Sequence, residues 1–332
     1  MKFGGIWKQA LFFASCFFLT AGCDSKDDST SQQALQRTAA QANTGDSDAQ
    51  FHLGQFYHTN YALRDITNAI RWLQMSAERG NSNAQLTLGN IYYYGDGVAE
   101  DHAEAVRWYR KVAERGNTKI ALQLGDWYLH GDGVAEDHAE AVRWYRKAAE
   151  QGNAVGQYEM GYMYSNGLGI PKDDAEAVRW YRKAAEQGNG TAQNNLGFMY
   201  YAGEGVPKDD AEAVRWYRKA AEQGEAGAQI NLGFMYSNGR GVPKDDAEAV
   251  RWYRKAAEQG NAFGQYGLGM YYYLGVSLPK DLVQAYAWCN LAAAGGEERA
   301  KKLRDSLETT MSSQQIAEAQ AISRSFHPNH KD

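Results

Sequence analysis

Eighteen residues, Pro171–Gly188, return letter for letter at Pro207–Gly224 and at Pro243–Gly260, each time 36 residues further on. Near copies, with Ala-Glu-Asp-His in place of Pro-Lys-Asp-Asp, occupy Ala99–Gly116 and Ala135–Gly152. Trp72, Trp108, Trp144, Trp180, Trp216, Trp252 and Trp288 keep the same step, as do Gly80, Gly116, Gly152, Gly188, Gly224, Gly260 and Gly296. A fixed period of this size belongs to units that cannot bury their apolar face alone and must stack on their neighbours. That overrides the two-domain expectation that length alone would suggest.

The unit Asn81–Gly116 shows how the period is built. Ala84, Leu88, Ile91 and Tyr92 share a helical spacing, and so do Ala105, Trp108, Tyr109, Val112 and Ala113. Between them, Gly95-Asp96-Gly97 supplies the positive φ of a tight connection. Asp101 stands three residues before Glu104, which predicts a capping box, repeated at Asp137/Glu140, Asp173/Glu176, Asp209/Glu212 and Asp245/Glu248. Gly116 then ends the helix. Each unit is therefore a helix hairpin. Gly89 sits inside its first helix, where Gly costs about 1 kcal/mol relative to Ala. Gly125, Gly161, Gly197, Gly233 and Gly269 hold the same slot, and the expected reason is close approach of the Trp of the second helix.

Ala192-Gln193, Leu196-Gly197, Tyr200, Gly203, Gly205-Val206, Asp209, Ala213, Trp216, Ala220-Ala221 and Gly224 fill the pattern of a Sel1-like repeat, which the chain resembles over seven units. The units span 46–80, 81–116, 117–152, 153–188, 189–224, 225–260 and 261–296. The resemblance implies an all-α fold, a right-handed α/α solenoid of seven 36-residue hairpins that binds proteins through its concave side. The family includes scaffolds, host-interaction factors, immunity proteins for secreted phospholipases, and cysteine-rich members credited with penicillin binding.

The ends read differently. Lys2 and Lys8 precede the apolar run Ala10–Leu19, too short for a membrane span, and Thr20-Ala21-Gly22-Cys23 follows. This makes 1–22 a secretory signal of lipoprotein type, with Cys23 as the lipidated residue, although Leu19 stands one position early and Thr20 takes the usual Leu position. The protein is then expected in the cell envelope, facing the periplasm, with Asp24 favouring inner-membrane retention. Residues 23–30 form a tether, 31–45 an N-terminal capping helix, and 297–332 C-terminal capping helices with a frayed tail. The first unit is one residue short and its connection, Tyr57–Ala62, lacks both glycines. In the last, Ser277 and Leu278 replace Gly and Val, and an apolar Tyr286–Ala294 replaces the charged helix. That loss of charge predicts burial under Glu297–Leu307 and under a helix opened by a Ser312/Gln315 capping box and carrying Ile316, Ala319, Ile322 and Phe326.

The full chain has 35 basic and 40 acidic residues, and loss of the signal removes two of the bases and no acid. A mildly acidic body lacks the basic stripe that nucleic acid requires. Cys16 leaves with the signal and Cys23 is acylated, so Cys289 has no disulfide partner; this departs from the cysteine-rich branch and its penicillin binding. His102 and His138 share a slot but find no third metal ligand. Ser277-Leu-Pro-Lys280 matches Ser-x-x-Lys, yet the Lys belongs to a repeated slot and the companion motifs are missing. Asp96, Asp132 and Glu204 place negative charge in the Gly-rich turns, where a bound phosphate would sit. Neither a cofactor nor an enzyme activity is expected.

Differences between units concentrate in the first helix, at four slots spaced i, i+4, i+7 and i+11 on one face. These read Asn83-Thr87-Asn90-Tyr94, Lys119-Gln123-Asp126-His130, Val155-Glu159-Tyr162-Asn166, Thr191-Asn195-Phe198-Ala202, Gly227-Asn231-Phe234-Asn238 and Phe263-Gly267-Met270-Leu274. The face passes from polar to aromatic, and the family resemblance places it on the concave side. Tyr94, Asp126, His130, Tyr162, Phe198, Phe234, Phe263 and Met270 are the candidate partner-binding residues; the alternative is drift at unconstrained positions. The expected function is protein binding in the envelope, most specifically as an immunity protein against a periplasmic phospholipase-type toxin. A general scaffold or host-interaction factor is the alternative, and a β-lactam hydrolase a more distant one.

Overall fold

The structure, a computed structural model, describes residues 27–60 and 63–328; the expected signal, Cys23 and Asp24 lie outside the described residues. The described residues form seventeen α-helices and no strand. After α1 (Asp27–Asn43) come seven pairs. They are α2 (Ser47–Thr59) with α3 (Ile66–Glu78), α4 (Ser82–Tyr94) with α5 (His102–Glu114), α6 (Thr118–His130) with α7 (His138–Glu150), and α8 (Ala154–Asn166) with α9 (Asp174–Glu186). Then follow α10 (Gly190–Ala202) with α11 (Asp210–Glu222), α12 (Ala226–Asn238) with α13 (Asp246–Glu258), and α14 (Ala262–Leu274) with α15 (Leu282–Ala294). The chain ends in α16 (Glu298–Glu308) and α17 (Ser313–Ser325). Two compact units are present, one ending at Val112 and the other beginning at Ala113.

Inside each hairpin the division of labour between the paired aromatics differs from the expectation. The helical glycines face Tyr, not Trp: a Cβ on Gly125 would lie 2.4 Å from Tyr145, on Gly161 2.5 Å from Tyr181 and on Gly197 2.7 Å from Tyr217. At Gly89 the neighbour is Tyr109, and at Gly269 it is Cys289. The Trp one residue earlier points about 100° away around the helix and reaches the preceding hairpin. Trp216 thus joins the core of Ala177, Tyr181, Leu196 and Met199, and Trp252 that of Ala213, Tyr217, Leu232 and Met235. Tyr closes a hairpin, and Trp joins it to the one before.

A second tie between hairpins is polar. Gln157, Gln193, Gln229 and Gln265 are buried, and each Nε2 donates to a carbonyl in the last turn of the preceding second helix: Ala149, Ala185, Ala221 and Ala257. Each of those carbonyls also accepts the amide of the Gly that ends its helix, so the glutamine takes up its second lone pair. Gln187, Gln223 and Gln259 donate in turn to the Oε1 atoms of Gln157, Gln193 and Gln229, at 2.7, 2.7 and 2.9 Å. A buried amide left unmatched costs on the order of 1–3 kcal/mol, so matching both ends holds the register of the stack.

The second helices are capped on one side only. Asp137, Asp173, Asp209 and Asp245 each accept two backbone amides. Their own amides donate to Tyr128, Tyr164, Tyr200 and Tyr236 carbonyls instead of to the glutamate, so the expected reciprocal box does not close. The glutamates turn outward and pair with Arg143, Arg179, Arg215 and Arg251. Ser312 and Gln315 do form a complete box at the start of α17. As expected, α16 and α17 cover α15: Ala285, Tyr286 and Ala287 pack with Leu303, Leu307, Ile316, Ala319 and Ile322, and Trp288 meets Phe326 edge-on. At the other end α1 begins at Asp27, ahead of the expected boundary, and packs Leu35, Ala39 and Ala42 on Ala49, Leu53 and Trp72. In the glycine-less first connection, His58 and Arg64 both bind Asp96.

Candidate functional site

Each first helix is thirteen residues long, opened by an extended N-cap and closed, from α4 onward, by a left-handed Gly. In α10 the buried stripe is Ala192, Gln193, Leu196, Gly197 and Met199, and homologous residues are buried in α6, α8, α12 and α14. Since that stripe consumes the small and aliphatic residues, the remaining slots face outward. Side chains placed there must either be polar or leave apolar surface in water.

The candidate residues occupy this face unevenly. Phe198 is 47 % exposed, Phe234 38 %, Tyr162 37 % and Phe263 53 %, while Met270 is half-buried. Tyr94 is exposed on α4, in the N-terminal unit. Phe234 meets Tyr201 edge-on at 6.1 Å, and the Arg240 guanidinium lies over both rings while donating to the Tyr201 hydroxyl at 2.9 Å. Arg299 lies over Phe263. Phe198 has no such brace among the described residues.

Toward α6 the same slots turn acidic. Asp126 and His130 are exposed; the Asp126 carbonyl contacts His130 Nδ1 at 2.9 Å, and its Oδ1 accepts the Tyr145 hydroxyl at 2.7 Å. Tyr109 donates to Asn90 in the equivalent way, at 2.6 Å. Glu159 is half-buried on α8. Its carboxyl is pushed up to about 7, first by burial and then by the charge of Asp126, with His130 acting in the opposite direction. Although the residue is exposed, loss of water around its carboxyl also raises Asp126, against the Tyr145 hydrogen bond.

Two residues at this face were not among the candidates. Glu225 replaces the Asn that caps most first helices, makes no cap with its side chain, and instead accepts Thr191 Oγ1 at 2.8 Å. Glu159 carries no motif; its environment comes from the tyrosines that α7 and α9 bring beside it. The break in the Asn series at 225 was a readable signal, whereas the burial of Glu159 was not.

Chemistry outside this face is sparse. His102 stacks on Tyr93 and lies 3.7 Å from Glu100, and His138 lies 3.1 Å from Glu136. No group of three potential metal ligands occurs among the described residues. Cys289 is buried and free, its thiol pushed up to about 12 by burial. No described helix is long and apolar enough to cross a membrane.

The Sel1 repeat model matches residues 47–81, 82–117, 121–153, 154–189, 190–225, 226–261 and 262–297. The chain belongs to the Sel1 repeat family, with the α/α solenoid fold and capping helices. Among solved structures, a Sel1 repeat protein from Oxalobacter formigenes is 34% identical over 88% of this chain and 87% of its own, with a TM-score of 0.72. A protective antigen of uropathogenic Escherichia coli with the same repeat fold is 31% identical over 89% and 79%, with a TM-score of 0.38. An immunity protein from Pseudomonas aeruginosa is 24% identical over 68% and 81%, with a TM-score of 0.38. No curated protein sequence matches the chain significantly.

Proposed function

We propose that this chain binds another protein through the exposed, variable face of its first helices in the C-terminal unit, the face the family resemblance puts on the concave side. The supporting observation is the row of exposed aromatic side chains, Tyr162, Phe198 and Phe234, held at one slot of three successive hairpins whose second helices carry no such row. Aromatic anchors at an interface centre typically contribute about 2 kcal/mol or more each. Changing Tyr162, Phe198 and Phe234 to Ser should weaken the partner at least about a hundredfold while the melting temperature hardly moves. Arg179, Arg215 and Arg251 to Ala should leave binding unchanged. The readout is quantitative recovery of the captured partner, then its Kd by calorimetry; retention by the Ser variant would place binding elsewhere.

The finer reading is an immunity protein tethered in the envelope, which covers a secreted phospholipase-type toxin. It draws support from the family and from the apolar run Ala10–Leu19, preceded by Lys2 and Lys8 and followed shortly by Cys23. Cys23→Ser should release the folded protein from the membrane fraction. Sedimentation of the variant with membranes after a high-salt wash would remove the lipid anchor from this reading. A toxin encoded beside the gene, tested directly for binding, separates the immunity role from a general scaffold.

A further inference from the structure

The variable face is not uniform, and its composition narrows the partner. At the α6–α8 end the face carries two carboxylates in successive hairpins, the exposed Asp126 of α6 and the half-buried Glu159 of α8. Asp126 is exposed and already accepts one hydroxyl; Glu159 has no hydrogen-bond partner among the described residues. The groups acting on Glu159 and its neighbours are Asp126 and His130 from α6, Tyr145 from α7, Tyr158 and Tyr162 from its own helix, Tyr181 from α9, and Glu225, which acts on Tyr158. No Lys or Arg is among them, and His130 alone opposes the negative charge. The glutamates in the first turn of the second helices, by contrast, are paired with an arginine one turn away, as Glu176 is with Arg179 and Glu212 with Arg215.

Directly beside this pair the apolar row begins. Tyr162 lies three residues after Glu159 on the same helix face, followed by Phe198 on α10 and Phe234 on α12. Taking the protein-binding reading as its premise, we infer that the partner presents a Lys or Arg side chain to Asp126 and Glu159 and lays apolar side chains along Tyr162, Phe198 and Phe234. Charge complementarity decides the class. A half-buried carboxylate without a partner gains a charge-assisted hydrogen bond from a guanidinium or ammonium group, and it repels phosphate and acidic peptide. The apolar row then fixes the neighbours of that basic residue as aliphatic or aromatic. A single basic residue beside apolar ones is thus the recognition element, and a polybasic tract is not.

A random-peptide display library panned on immobilised full-length protein tests this. Selected peptides should carry Arg or Lys next to Leu, Ile, Phe or Trp. Replacing that basic residue by Gln should weaken binding about tenfold on the parent protein and leave it unchanged on Asp126→Asn/Glu159→Gln, whose folding is checked by its melt. Selection of peptides without a basic residue, an equal loss on both proteins, or no selection at all overturns the inference. Peptides that bind Phe198→Ser/Phe234→Ser as well as the parent would instead overturn the binding role of the face. Dimerisation of the protein, abolished by those two Ser changes, would put a second copy there and also overturn the inference.

Discussion

Glu159 shows what a single side chain on this face costs the fold. Its carboxyl is raised from the ordinary 4.5 to about 7, so the folded protein binds more protons than the unfolded chain between those values. Stability therefore falls as the pH rises through that window and levels off above it. The full shift corresponds to at most about 3 kcal/mol, and water reaching the half-buried group lowers that. Glu159→Gln should melt higher than the parent at pH 8 and match it near pH 4.5, flattening the slope between them; identical pH profiles would show that the group is fully solvated. Keeping an acid where Gln would be more stable fits a residue held for binding. The opposite logic governs Gly125, Gly161 and Gly197, where an added methyl would collide with a buried tyrosine ring, so helix propensity gives way to packing.

The connections set the geometry of each element. Gly169, Gly205 and Gly241 combine a left-handed φ of 64°, 68° and 66° with the backbone of the preceding second helix so close that a Cβ would lie 2.1–2.3 Å from a carbonyl oxygen. Ser277 holds the homologous slot at φ 57°, so the last hairpin has adjusted to a side chain. There Tyr271 donates to Asp246 Oδ1 at 2.9 Å, whereas the equivalent Oδ1 of Asp174 and of Asp210 accepts no hydrogen bond among the described residues. Gly241→Ser should therefore destabilise by about 1–3 kcal/mol although the same residue is native 36 positions later. Denaturant melts of the two forms measure the difference; an unchanged midpoint would mean that every hairpin can adjust as the last one does.

At the scale of the whole chain, the repeats within the C-terminal unit should be interchangeable. Deleting Pro207–Val242 joins Val206 to Pro243 and recreates a junction the chain already contains. The shortened protein should keep its helicity per residue and melt cooperatively at a lower temperature, since one hairpin and one interface are lost. Circular dichroism checks this, and loss of helicity would show that a particular hairpin nucleates the rest. Such modularity explains how much was legible beforehand. The 36-residue period, the Gly-rich turns and the apolar spacing determined the hairpins, their number and the terminal covers, because these depend on backbone sterics and helical periodicity within one unit. Which face of Trp and Tyr meets which neighbour was not legible, since adjacent residues on a helix diverge by about 100° and only the packed partner decides their roles. The same holds for the glutamine ties, whose two ends lie thirty residues apart, and for the open capping boxes, whose amides are taken by carbonyls of the preceding helix. For the binding face, the slots were readable as variable and outward, but the raised carboxyl of Glu159 exists only because three helices converge around it and strip away part of its water.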